Sequence, residues 1–156
     1  MKKLLLVLIL GCGYMISFAS PLPNEKVAAV FQKTFPQVTN PHWSEHNGRY
    51  EVYFETDQSK LRLEYTSNGV LWSSIRYYSA ELLNPFVKSR VMAKYPDVSV
   101  FGITEVINDG EMYYELVLEG AKSWMKVKSD AYGSLDLLDH WNKTESGTGV
   151  QSTKSY

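Results

Sequence analysis

The residues best placed by type and spacing to do chemistry are His42-Trp43-Ser44-Glu45-His46, which spell the His-x-x-Glu-His order of an inverted zinc-peptidase motif. That chemistry needs both imidazoles on one face of a helix, with the glutamate beside a metal-bound water. Pro41 precedes the segment and Asn47-Gly48 follows it, a context for a short strand entering a hairpin. In a strand, His42 and His46 share a face with Ser44 but stand about 13 Å apart at a rise of ~3.3 Å per residue, too far for one ion. A small metal-dependent hydrolase using His42 and His46 is therefore the weaker reading, and polar residues leading into a turn the stronger.

The other candidates reduce further. His140 is the remaining histidine, and serines occur without a Gly-x-Ser-x-Gly elbow or a partner base. No glycine-rich phosphate loop is spelled. Glu51/Glu55 and Glu115/Glu119 are paired carboxylates on a strand period, as solvated faces carry them. Asn142-Lys143-Thr144 spells a glycosylation sequon without a context that makes it meaningful. The expectation is a protein that is not an enzyme, with no catalytic residue, no metal and no cofactor.

The elements that must position these residues occupy a short chain. Its 156 residues suit one ordinary domain or two very small ones, and 44% hydrophobic content is enough for a packed core. A net charge of −1 gives no electrostatic footprint for nucleic acid. Met1-Lys2-Lys3, the apolar run Leu4 to Ile16 and Ser17-Phe18-Ala19 read as a signal peptide over residues 1–19. The protein is thus expected to be exported, to the periplasm or outside the cell. No later run has the ~20 apolar residues of a transmembrane segment. The single cysteine, Cys12, lies inside the leader. Ile9-Leu10-Gly11-Cys12 loosely matches a lipobox, so an outer-membrane lipoprotein anchored at Cys12 is the alternative. Large Leu10 and the apolar run beyond Cys12 favour simple cleavage, which leaves a mature chain with no cysteine.

The mature chain repeats itself. Asn24-Glu25-Lys26-Val27, Val30-Phe31, Phe35-Pro36 and Val38 recur sixty residues later as Asn84-Pro85-Phe86-Val87, Val91, Tyr95-Pro96 and Val98. Tyr50 to Glu55 matches Tyr114 to Glu119 at a spacing of sixty-four, as Asn68-Gly69-Val70-Leu71 matches Tyr132-Gly133-Ser134-Leu135. Each copy opens with a helix. Asn24 and Asn84 are N-caps, Pro85 takes the first helical position, and Pro36 and Pro96 end the two helices. Val27, Val30, Phe31 and Phe35 form one apolar stripe, and Val87, Val91 and Tyr95 the other. Strand patterns come next: Tyr50, Val52 and Phe54 alternate with charge, and so do Leu61, Leu63 and Tyr65. Short strands around Trp43 and Ile103 bring each copy to four. The organisation expected is a first repeat over residues 20–80, a second over 81–141, and a disordered polar tail over 142–156. Units of this size are marginal alone, so the halves should share a sheet or a core.

Trp43, Tyr50 to Phe54, Gly69 to Trp72, Leu83 to Val87 and Tyr95-Pro96 together resemble the PepSY-like family of secreted bacterial proteins. The resemblance spans Asn24 to Asp139. It implies an α+β fold like that of the β-lactamase inhibitor proteins, two αββββ units forming one curved antiparallel sheet of about eight strands with the helices on one face. It implies no catalytic residues, and the chain lacks the disulfides of the true inhibitors. Fold does not carry function by itself.

If the apolar strand face meets the helices, Tyr53 points away from them with Glu51 and Glu55. Trp124 then points away beside Lys126 and Lys128, and Trp72 beside inward Leu71. Tyr53, Trp72 and Trp124, interleaved with Arg62, Glu64 and Lys126, would make an amphipathic aromatic surface, the composition of binding interfaces. The bland alternative is cross-strand pairing that only steadies an exposed face. The leading expectation is a non-catalytic module binding a protein or peptide of the cell envelope on this sheet face, acting as an inhibitor or regulator of an envelope enzyme such as a peptidase. A structural or small-ligand-carrying envelope protein is the third reading.

Overall fold

The computed structural model of the protein describes residues 22–143. The leader over residues 1–19, the Cys12 anchor and residues 144–156 of the expected tail lie outside the described residues.

Two ten-residue helices, α1 (Glu25–Thr34) and α2 (Pro85–Lys94), each precede four strands. The first set is β1 (His42–His46), β2 (Arg49–Glu55), β3 (Ser59–Thr66) and β4 (Leu71–Tyr78). The second is β5 (Ser99–Asn108), β6 (Glu111–Glu119), β7 (Ser123–Asp130) and β8 (Leu135–Asn142). All eight form a single antiparallel sheet in chain order, β1 through β8. No helix among the described residues is long and apolar enough to cross a membrane.

Helices this short are marginal in water, so their ends and buried stripes must hold them. The Asn24 side chain accepts from the Val27 N–H at 3.0 Å, and that of Asn84 from the Phe86 N–H at 2.9 Å. Both helices end one residue before an X-Pro step, at Phe35 and Tyr95. Val27 and Phe31 of α1 pack with Val52, Phe54, Leu63 and Tyr65; Val87 and Val91 of α2 pack with Ile103, Leu116, Leu118 and Val127. The strand register puts both sets of sheet residues on one face. Val30 lies at the flank of the α1 stripe and is partly exposed, because it meets the β3–β4 turn instead of the sheet. Gly69 in that turn has φ +83°, and a Cβ there would come within 3.3 Å of Val30. Glycine answers both demands.

The halves therefore share a sheet while keeping separate apolar cores. The seam between them, along β4 and β5, is polar on the helix side. Tyr78 donates to Glu105 Oε2 at 2.8 Å, and the Arg76 guanidinium lies 4.8 Å from the Tyr78 ring centre. Arg76 Nε also donates to Ser59 Oγ at 3.2 Å.

The end of the sheet corrects one expected boundary. Asn142 pairs with Ser123 in β8, the Lys143 N–H donates to the Lys122 carbonyl at 2.8 Å, and Lys143 Nζ meets Glu119 Oε1 at 2.6 Å. β8 thus includes Asn142, and Lys143 is hydrogen-bonded beyond it, within the segment read as tail. A polar composition does not prevent a strand whose backbone is paired and whose lysine has a carboxylate opposite it.

Candidate functional site

The face away from the helices is assembled by cross-strand register. One row runs His42, Tyr53, Arg62, Ile75, Val106, Tyr113 and Asp130, from β1 to β7. The neighbouring row runs Glu55, Lys60, Tyr77, Thr104, Glu115, Lys128 and Asp136, from β2 to β8. Ile75, Tyr77, Val106 and Tyr113 make an apolar centre, and charged side chains flank it on both sides. All five ion pairs among the described residues join side chains of this face: Arg49–Glu64, Lys60–Glu55, Arg62–Glu51, Lys126–Glu115 and Lys143–Glu119. Such exposed pairs contribute roughly 0–1 kcal/mol each. In two of them the cation also lies over a ring of this face, Arg49 over Trp72 and Lys143 over Trp124.

Tyr53, Trp72, Trp124, Arg62, Glu64 and Lys126 all lie on this face, in three separate groups. Tyr53 donates to Glu55, beside Lys60. That hydrogen bond, with the Lys60 ammonium next, holds the Glu55 carboxyl below its ordinary range; the same bond raises the Tyr53 phenol. Trp72 lies on the face at a β-bulge. Glu64 pairs with Ser73 and Tyr65 with Leu71, which leaves Trp72 as the extra residue. The Arg49 guanidinium lies 4.4 Å from the Trp72 ring centre, and Glu64 accepts from both Arg49 (3.2 Å) and Ser73 (3.1 Å). Trp124 belongs to a third group, at the β7–β8 end.

That third group holds two residues the sequence reading missed. Phe101 meets Trp124 edge to face at 5.0 Å, and Trp141 is the direct cross-strand partner of Trp124. Phe101 is 66% exposed and sits where the β5–β6 register shifts between Val100 and Gly102. Its signal was the bulky aromatic beside a strand glycine, a frequent bulge composition. Trp141 could have been found by counting β8 back from Trp124. Lys143 Nζ stands 5.0 Å from the Trp124 ring centre.

The histidine motif is a strand. His42, Ser44 and His46 pair with Tyr53, Glu51 and Arg49, so the imidazoles are four residues apart on one extended face. This separation, about 13 Å by strand rise, denies them a shared ion. Trp43, between them, turns to the other side and packs against Phe31 at 5.2 Å. Among the described residues no group of three or more His, Cys, Asp or Glu side chains is placed to hold a metal. What the arrangement offers chemically is a broad surface of rings, apolar side chains and paired charges.

An eight-stranded antiparallel sheet with two helices defines the β-lactamase-inhibitor-like (BLIP-like) architecture, and solved structures bear this out. A BLIP-like protein from Bacteroides fragilis NCTC 9343 superposes with a TM-score of 0.56 at 16% identity, covering 83% of this chain and 92% of that one. A DUF2874 family protein from Bacteroides ovatus ATCC 8483 gives 0.56 at 18% identity, covering 78% and 89%. A protein from Bacteroides eggerthii DSM 20697, provisionally assigned to the periplasm, gives 0.55 at 14% identity, covering 78% and 90%. At these identities the likeness establishes the fold alone. No family model matches the sequence, that of the PepSY-like family included, and no curated protein matches it.

Proposed function

We propose that this chain is an exported, non-catalytic binding module of PepSY-like type, built from two copies of one αββββ unit. It presents its helix-free sheet face to a protein or peptide of the cell envelope and regulates or inhibits an envelope enzyme such as a peptidase. One observation carries the reading: the described residues place no helix over that face, while it holds Tyr53, Trp72, Tyr77, Phe101, Trp124 and Trp141. Tyrosine and tryptophan supply large rigid contact area with a polar tip, and they dominate binding energy where they are enclosed by a partner. Arg62, Glu64 and Lys126 would give the surface its charge pattern, which selects partners and speeds encounter. The periplasmic assignment of a neighbour of the same fold supports an envelope location.

The test is capture of partners from the envelope of the producing cell by tagged protein. Replacing Trp72 and Trp124 together with alanine should weaken capture at least tenfold, about 1.4 kcal/mol. Replacing exposed Phe86 and Met92 of α2 should leave it intact. Equal capture by a folded Trp72→Ala/Trp124→Ala variant overturns the assignment of the sheet face.

A further inference from the structure

The two edges of the sheet are finished differently. At one edge β1 is five residues long, and its Trp43 is tucked against Phe31. At the other, β8 is eight residues long, and every residue after Leu135 is exposed. Among them are Leu137 (52% exposed), Leu138 (48%) and Trp141 (38%). Long, apolar, open edge strands pair with another strand, because their outward N–H and C=O groups accept no other cover as readily.

The hydrogen bonds identify which backbone groups face outward. The His140 N–H is capped by its neighbour's Asp139 Oδ1 at 2.7 Å, and the Leu135 carbonyl is taken by Lys94 Nζ at 2.8 Å. Neither group is used by β7. Lys126 pairs with Asp139 and Val127 with Leu137, so Leu138 is an extra residue in β8. Counting by twos on each side of this bulge, Leu135, Leu137, His140 and Asn142 turn their backbones to the open edge and their side chains to the helix side. Asp136, Asp139 and Trp141 take the opposite face.

That arrangement is self-complementary. An antiparallel strand paired with its own copy about a point between two residues normally sets opposite faces against each other, because the faces alternate with period two. The bulge at Leu138 removes the mismatch. A two-fold axis between Leu138 and Asp139 sets Leu137 against His140 of the other copy and Leu135 against Asn142. Each of these pairs joins two outward-facing backbones and occurs twice. On the other face Asp136 meets Trp141, and the bulge residue Leu138 stands opposite Asp139, so no like charges stand directly opposed.

We infer that β8 pairs with β8 of a second copy of this chain, joining two eight-stranded sheets about a two-fold axis. The contact is isologous and closes on itself. It releases the His140 N–H from Asp139 and the Leu135 carbonyl from Lys94, and strand-to-strand bonds replace both. The helix-free faces of the two copies become continuous, which brings the Trp124–Trp141 group to the middle of the joined surface.

Sedimentation equilibrium of the mature chain, over a hundredfold range of concentration, reads this directly. Twice the chain mass is expected at the upper end. The Leu138→Asp substitution puts two carboxylates opposite each other in two symmetric places and should return the mass to that of one chain. Adding Asp139→Lys to it should restore the dimer, because each introduced carboxylate then faces an introduced ammonium. Hydrogen exchange at His140 and Leu137 should slow as the dimer forms. A single-chain mass throughout overturns the inference. So does a dimer untouched by Leu138→Asp, or one that the double variant does not restore. Protection of the Leu137 amide at single-chain mass would show that the edge is covered within one chain, and it overturns the inference as well. Envelope capture through the Trp72 group is read separately, and Leu138→Asp leaves that group untouched.

Discussion

Replacing Phe31 with alanine is expected to cost about 3–5 kcal/mol of folding stability, the range for truncating a fully buried aromatic. The ring is 2% exposed and sits among Phe35 (5.4 Å between ring centres), Trp43 (5.2 Å) and Phe54 (5.3 Å), so three aromatic neighbours lose a partner at once. Tilted and edge-to-face pairs of this kind add roughly 0.5–1.5 kcal/mol each beyond area burial. The loss is a large part of the 5–15 kcal/mol that folded domains possess. Phe31 belongs to the first core only, yet β4 and β5 are hydrogen-bonded neighbours, so the halves should unfold together. Urea unfolding followed by tryptophan fluorescence, and separately by backbone circular dichroism, should show one coincident transition at lower midpoint. Trp43 and Trp72 report the first half, Trp124 and Trp141 the second. Two separated transitions would show that the polar seam does not couple the cores.

The second large effect is a loss of stability in alkali. Burial raises the phenols of Tyr65, Tyr78 and Tyr114 above the ordinary tyrosine value. Desolvation is the leading cause for all three; Tyr78 is raised further by its hydrogen bond to Glu105 and by that carboxylate's charge. A phenol whose folded pKa exceeds its unfolded value, about 10, stays neutral in the folded state while the unfolded state releases its proton. The stabilisation is complete below about pH 10 and is lost as pH rises from there toward the folded pKa values. A phenol that stays neutral in the folded state across this range contributes a slope of up to about 1.4 kcal/mol per pH unit, and Tyr78, the most strongly raised, contributes the largest share. Unfolding midpoints measured from pH 8 to 11.5 should be level at first and then fall steeply. Tyr78→Phe should make the fall shallower by about one group's share. A midpoint that does not change up to pH 11.5 would mean that these phenols ionise as freely folded as unfolded.

The helices and inward strand positions were legible because they depend on local chemistry. Asparagine caps, proline stops and period-two alternation at Tyr50–Phe54 and Leu61–Tyr65 act within a few residues of one another. The bulges were not legible. An extra residue at Trp72 or Leu138 has no periodic signature, yet it exchanges the two faces for everything beyond it. Plain alternation from inward Leu71 sends Trp72 outward and Ser73 inward. The bulge places both outward, and it then carries Arg76 to the helix side and Ile75 and Tyr77 to the open face. The seam of Arg76, Tyr78 and Glu105 depends on pairing between β4 and β5, which lie on either side of α2, and no local pattern announces it. Phe101 and Trp141 escaped for the same reason: their place beside Trp124 is a matter of register between strands. The resulting surface is one face with three aromatic groups and an apolar centre, wider than the six residues singled out from sequence.

On the proposed function, a partner covers the helix-free face. Hydroxyl-radical footprinting of the protein, free and bound to the partner it captures from the envelope, tests this most directly, because it reads exposure ring by ring. Tyr77, Phe101 and Trp124 on the open face should lose reactivity severalfold in the complex, while Phe86 and Met92 on α2 should keep theirs. Protection of Phe86 and Met92, with Tyr77, Phe101 and Trp124 unchanged, would contradict the account.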